Sequence, residues 1–110
     1  MPRSLQADTH LVQLLLPLSD NSGAPFPKER FDAVRAQLVE KFGGVTAYVR
    51  SPAVGAWENA EGRTCRDDVI LFEVMVDAID KAWWKTFRQH VERAFEQEAI
   101  VLRAIRVDVL

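Results

Sequence analysis

Cysteine is almost absent from this sequence, and histidine is scarce. Cys65 is the only cysteine in the 110 residues, which excludes an internal disulfide and a zinc cluster built from cysteines. His10 and His90 are the only histidines, and neither the HxxxH nor the HxxEH spacing of metal sites occurs. Both are expected to be structural or at the surface, with a ligand contact by His90 as the lesser alternative. We therefore predict no metal site and no cofactor.

The sequence also lacks an excess of charge of one sign and any long apolar run. Its 14 basic and 16 acidic residues give a net charge of −2, so no overall positive field attracts nucleic acid or an anionic membrane. No apolar run approaches the roughly 20 residues that cross a bilayer, and no signal-peptide pattern is present. We expect one domain over residues 1–110, led by a loose segment 1–9. We also expect a cytoplasmic location with no nucleic-acid or membrane partner.

Periodicity and turn residues divide the chain into six elements. Strands are predicted over residues 10–18, 45–50, 69–76 and 100–109, and helices from Pro27 to Phe42 and from Asp77 onwards. Pro17 should end the pairing of the first strand, since proline donates no hydrogen bond to a sheet. Gly43 should end the first helix by taking the left-handed conformation, and Asp77 should cap the second. Residues 51–67 should form a long loop.

Each helix and each central strand should bury a regular set of apolar residues. The helical stripes are Phe31, Val34, Leu38 and Phe42, then Trp83, Phe87, Val91 and Ala94, with Trp84 and Phe95 at the margin. The strand residues facing the helices are Val12, Leu14, Leu16, Ile70, Phe72, Val74 and Val76. The opposite, open side holds Leu11, Gln13, Leu15 and Pro17 with Val69, Leu71, Glu73 and Met75. That side is nearly as apolar as the core side, which predicts that something covers it.

The order strand, helix, strand, strand, helix, strand resembles the ferredoxin-like fold. The resemblance implies an α+β protein with a βαββαβ order, an antiparallel sheet carrying both helices on one face, and the first and third strands at its centre. With its apolar open side, the chain also resembles dimeric α/β barrel proteins, which include small monooxygenases, haem-degrading enzymes, muconolactone isomerase-like proteins and stress-responsive proteins. That likeness implies a homodimer with sheet facing sheet. The alternative cover is the loop 51–67 or the N-terminal segment.

The segments GGVTAY and VGAWENAEGR are similar to those of small uncharacterised bacterial proteins, in which a glycine-rich strand start precedes a G-x-W loop. Those proteins have no assigned reaction, so the likeness implies none. In the second segment Trp57 lies close to Arg63 and Arg66. This tryptophan could close over a ligand, or it could simply hold the loop against the domain.

Polar residues set among apolar ones on the open side are candidate ligand-binding residues. They are Glu73, Gln13, Tyr48, Arg50 and Arg103. A carboxylate near an arginine could act as an acid or base, or could orient an anion. It could equally form a structural ion pair, Glu73 with Arg103 or with Arg50. No catalytic residue is assigned.

Two functions of different classes stay open. In the first, a homodimer binds a small organic ligand in a pocket on the open side. In the second, self-association consumes that side, and the chain is a non-catalytic protein-interaction or regulatory module. A cavity of at least about 300 Å³ on the open side would favour the first. Glu73 and Gln13 also favour it, because they are unusual choices for a purely apolar seal.

Overall fold

The structure, a computed structural model, describes residues 9–50 and 69–110. Along the chain lie β1 (His10–Pro17), α1 (Lys28–Phe42), β2 (Thr46–Arg50), β3 (Val69–Val76), α2 (Lys81–Ala94) and β4 (Val101–Arg106). The strands form one antiparallel sheet in the order β2-β3-β1-β4. The predicted ferredoxin-like α+β fold is confirmed, with β1 and β3 at the centre. The predicted loop and lead-in fall outside the described residues, except for Thr9.

One hydrophobic core fills the space between the sheet and the two helices. The strand residues predicted to face the helices are buried in it, namely Val12, Leu14, Leu16, Phe72, Val74 and Val76, with Ile70 partly buried. From α1 come Val34 and Leu38, while Phe31 and Phe42 pack against them. Because side chains alternate along a strand, this set shows that both helices lie on one face of the sheet.

Helix α1 ends at Gly43 as predicted, whereas Pro27 lies one position earlier relative to the helix than predicted. Gly43 ends the helix in the left-handed region at φ 83°, and its N–H donates to the Val39 carbonyl at 2.7 Å. Glycine takes this conformation without strain because it has no Cβ. Pro27 occupies the N-cap position rather than the first turn.

The prediction that Asp77 caps α2 is wrong, because the helix begins one turn later. Asp80 is the N-cap, and its Oδ1 accepts a hydrogen bond from the Trp83 N–H at 3.1 Å. Ile79 precedes the cap and packs against the core, which is the hydrophobic-staple position. The buried stripe of α2 also differs from the prediction: Trp84, Phe87, Val91 and Phe95 are buried, Trp83 is half-buried, and Ala94 is exposed. The stripe is thus centred on Trp84 rather than Trp83.

Glu96, just beyond α2, is held in the left-handed region at φ 53°. A side chain in this region costs about 1 kcal/mol that glycine does not incur. We therefore expect Glu96→Gly to be more stable than Glu96→Ala by about 1 kcal/mol in urea unfolding. The alanine variant is the matched control because both changes remove the ion pair between Glu96 Oε2 and Arg30 Nη1, 3.4 Å apart. Equal free energies of unfolding would contradict this prediction.

Candidate functional site

A row of polar residues crosses all four strands on the open face, the side of the sheet away from the helices. The strand register places Thr46 opposite Glu73, Glu73 opposite Gln13, and Gln13 opposite Arg103. Directly opposed residues share a face of the sheet. The polar row, as these four residues are called below, therefore brings together three of the predicted site residues: Gln13, Glu73 and Arg103.

Gln13 joins the other two residues by hydrogen bonds. Its Nε2 donates to Glu73 Oε2 at 2.6 Å, and its Oε1 accepts from Arg103 Nε at 2.7 Å. Gln13 is only 9% exposed, whereas Glu73 is half-buried and Arg103 is exposed. The amide thus satisfies a carboxylate on one side and a guanidinium on the other, and a buried polar group with both partners is stable.

The direct ion pair that the sequence suggested between Glu73 and Arg103 is absent from the described contacts. The physical reason is the strand order, since β1 lies between β3 and β4. Two strand spacings separate the two backbones by about 10 Å. The carboxylate and the guanidinium therefore lie on either side of Gln13 within the row.

Apolar side chains surround the polar row, as predicted. Leu71 is 4% exposed, and Leu11, Leu15 and Met75 are half-buried. Towards the edges of the same face, Tyr48 is 46%, Val101 is 50% and Ile105 is 43% exposed. The centre of the open face is buried, and its two edges present apolar groups to solvent.

The remaining predicted residues lie farther from the row. Tyr48 is opposite Leu71, two positions along β2 from Thr46, so its exposed side chain is on the open face beside the row. Arg50 is the last residue of β2, opposite Val69. Four positions separate it from Thr46, so its Cα is about 13 Å along the strand from the row. Trp57 lies outside the described residues.

A groove between the helices is a second candidate site. It has a volume of about 510 Å³, and its lining includes Trp83, Phe87, Glu40, Lys41, Thr86 and His90. The rings of Trp83 and Phe87 stack with centroids 5.0 Å apart, and Lys41 Nζ lies 5.4 Å from the Trp83 ring centroid. Glu40 and Lys41 bring opposite charges to the rim, so the groove favours neither anions nor cations.

This groove lies on the helix side of the sheet, as do two smaller cavities of about 200 and 250 Å³. None of these three is the open-face pocket that the sequence suggested. Within residues 9–50 and 69–110, no group of three His, Cys, Asp or Glu side chains is placed to hold a metal ion. In the same part of the chain, no helix is long and apolar enough to cross a membrane.

Comparison with protein-family models and with curated proteins gives no match. The resemblance to small uncharacterised bacterial proteins therefore stays a prediction. Among solved structures, a phage SAM lyase in complex with S-methyl-5′-thioadenosine is similar to this chain, with a TM-score of 0.59 and 9% identity over 99% of this chain and 89% of that chain. A phage SAM lyase in the apo state gives a TM-score of 0.52 and 10% identity over 96% and 86%. The likeness is one of fold.

The sequence indicates three of the four residues of the polar row, Gln13, Glu73 and Arg103, but neither Thr46 nor the groove. A signal for the groove was present in α2, where Trp83, Thr86, Phe87 and His90 follow at spacings of three and four and so share one helix face. Glu40 and Lys41 come from the other helix, and only the packing of α1 against the sheet shows that they meet this face. The sequence had placed His90 near Trp83, and both line the groove.

Proposed function

We propose that this chain binds a small organic ligand on the open face, in a pocket completed by a second copy of the chain. The observation that carries the proposal is the polar row within an otherwise apolar surface. In an interface that only has to exclude water, buried polar groups cost desolvation free energy that apolar residues would not. Retaining Glu73 and Gln13 there is explained if the carboxylate and the guanidinium recognise a ligand.

The spacing within the row indicates the chemical class of ligand. Glu73 accepts hydrogen bonds from a cationic or N–H group, and Arg103 donates to a carboxylate, phosphate or carbonyl oxygen. Their backbones are about 10 Å apart, but both side chains reach the Gln13 amide, so their charged groups are closer together than that. Apolar Leu71 and Leu11 lie nearby. The ligand we propose therefore has a donor at one end, an acceptor or anion at the other, and apolar surface that packs on Leu71 and Leu11 beside the row.

A second copy of the chain is the cover that the edges of the open face favour. Tyr48, Val101 and Ile105 present apolar surface to solvent on both sides of the row, and such a patch is typical of an interface. Sheet-to-sheet packing would bury these residues and enclose the row, as in the dimeric α/β barrel families that the chain resembles.

The same apolar edges support the alternative function. If the two sheets pack together without a cavity, self-association consumes the open face and the chain is a non-catalytic interaction module. Gln13 then serves only to satisfy Glu73 and Arg103 within the interface. The two functions differ in whether the assembled protein binds a ligand through Glu73 and Arg103.

Light scattering after size exclusion, followed by calorimetric titration, tests the proposal. One probe is 6-aminohexanoate, which carries an ammonium and a carboxylate at its two ends. The other is S-methyl-5′-thioadenosine, chosen because it is the ligand of a protein with a similar fold. We expect a dimer that binds one of them, and binding weakened roughly tenfold or more by Glu73→Gln and by Arg103→Gln.

His90→Ala, in the groove on the other side of the sheet, is the matched control and should leave the affinity unchanged. A wild-type monomer at all concentrations would overturn the completed pocket. A dimer that binds neither probe would favour the interaction module. Dissociation of the dimer in Glu73→Gln alone would show that the carboxylate holds the interface.

A further inference from the structure

A small cavity lies between α2 and the edge strand β4, on the helix side of the sheet. Its volume is about 200 Å³, and its apolar lining includes Val12, Ile79, Trp84, Leu102 and Ala104. Because a water molecule in the liquid takes about 30 Å³, the space suits a ligand about the size of a monosubstituted benzene. Trp84 is part of the core, so this part of the lining is held by the fold.

Four cationic residues line the same cavity, three from α2 and Arg103 from β4. Lys81, Lys85 and Arg88 follow at spacings of four and three along α2, so they project from one side of the helix. No ion pair joins Lys81 or Lys85 to any carboxylate of the described chain. Like charges four residues apart destabilise a helix, and this arrangement stands out in a chain whose net charge is −2.

The pairing of Arg88 is also incomplete. Its Nε is buried and finds no hydrogen-bond acceptor among the described residues. The Glu92 carboxylate is close, but its Oε2 is 3.9 Å from Arg88 Nε and already accepts a hydrogen bond from the Ile100 N–H at 3.2 Å. The Glu92 carboxylate, already engaged by the Ile100 N–H, is therefore a weak counterpart to the four cationic residues of the lining.

The N-terminus of α2 does not account for the positive charge at this cavity. Asp80 caps the first turn through the Trp83 N–H, so the positive character of the cavity comes from side chains. The larger groove between the helices has charges of both signs at its rim. Of the three cavities described, the one between α2 and β4 alone combines charge of one sign with an apolar floor.

We propose that this cavity binds a small organic anion. The charged group would lie among Lys81, Lys85 and Arg88, where charge-assisted hydrogen bonds replace solvent. The apolar part would pack on Trp84 and Leu102. The body of this site lies on the helix side of β4, because Leu102 and Ala104 point to that side. Arg103 of the polar row also belongs to its lining.

Titration calorimetry with phenyl phosphate on the full chain at low salt tests the proposal. We expect saturable binding at one site, weakened roughly tenfold by Lys85→Gln or by Arg88→Gln, with a marked loss of affinity as salt is added. Ala104→Leu should also weaken it, because the larger side chain fills the cavity while keeping every charge. Inorganic phosphate and phenol should each bind more weakly than phenyl phosphate, because phosphate lacks the apolar ring and phenol lacks the anionic group.

Arg35→Gln is the matched control, since it removes an exposed cation of α1 that does not line the cavity. Equal weakening by Arg35→Gln and Lys85→Gln would overturn the proposal by showing a general charge effect. Absence of binding, or equal affinity for inorganic phosphate and phenyl phosphate, would also overturn it. Glu73→Gln should leave phenyl phosphate binding intact, which separates this site from the proposed ligand site on the open face.

Discussion

Replacing Phe95 with alanine is expected to lower the free energy of unfolding by about 3–5 kcal/mol. Phe95 is among the largest fully buried side chains. Its ring lies 5.1 Å from those of Phe26 and Phe31, measured between centroids. The change removes the transfer free energy of the ring and leaves a cavity that the two facing rings cannot fill without moving.

The position of Phe95 makes this loss larger than that of a comparable ring at the margin of the core. It follows α2 and packs against Phe26 and Phe31 at the start of α1, so it joins opposite ends of the two helices. Phe31→Ala is the matched control, because Phe31 is only half-buried and should cost about 1–3 kcal/mol. Urea unfolding measures both variants. A loss below about 1 kcal/mol for Phe95→Ala would contradict the packing described.

Gln13→Leu is expected to lower the free energy of unfolding by about 1–3 kcal/mol. Leucine has a similar size but cannot donate to Glu73 or accept from Arg103. Both hydrogen bonds are lost. The half-buried Glu73 carboxylate is then incompletely hydrated and has no hydrogen bond from residue 13 to compensate. Leu15→Met, which changes a half-buried apolar residue on the same face of β1, is the control and should lower the free energy of unfolding by less.

Removing Glu73 together with Gln13 should restore the stability that removing Gln13 alone takes away, because the remaining Arg103 is exposed and stays hydrated. In Gln13→Leu with Glu73→Leu, no carboxylate is left unpaired, so we expect a free energy of unfolding within about 1 kcal/mol of the wild type. Such a result, together with loss of ligand binding, would show that the row is kept for recognition rather than for folding. A double variant as unstable as the sum of the single variants would mean that the row stabilises the fold.

The sequence predicts the fold because the order of its elements and its apolar patterns agree. The alternation in β3 separated Phe72 from Glu73, and apolar residues on both sides of β1 and β3 indicated that these strands are central. Alternation assigns a residue to a face but does not fix the register between strands. The sequence therefore placed Glu73, Gln13 and Arg103 on one side, yet it could not show that Gln13 stands between the other two.

The incorrect start of α2 has a similar cause. Asp77 and Asp80 are both suitable caps, and local sequence does not choose between them. The choice follows from the sheet, because the Thr9 N–H donates to the Val76 carbonyl and keeps the strand paired up to that residue. The anion cavity also depends on packing, since Lys85 and Leu102 belong to elements that meet only in the folded protein.

The strand order also sets the sequence of events during synthesis. β1 is made first, but its two neighbours begin at Val69 and Val101. At about 5–20 residues per second, β4 follows β1 by roughly 4–17 s. During that time the apolar HLVQLLLP segment has no complete sheet to join, and such a segment is a target for chaperones and for aggregation. The strand that the ribosome releases first is thus among the last to be fully paired.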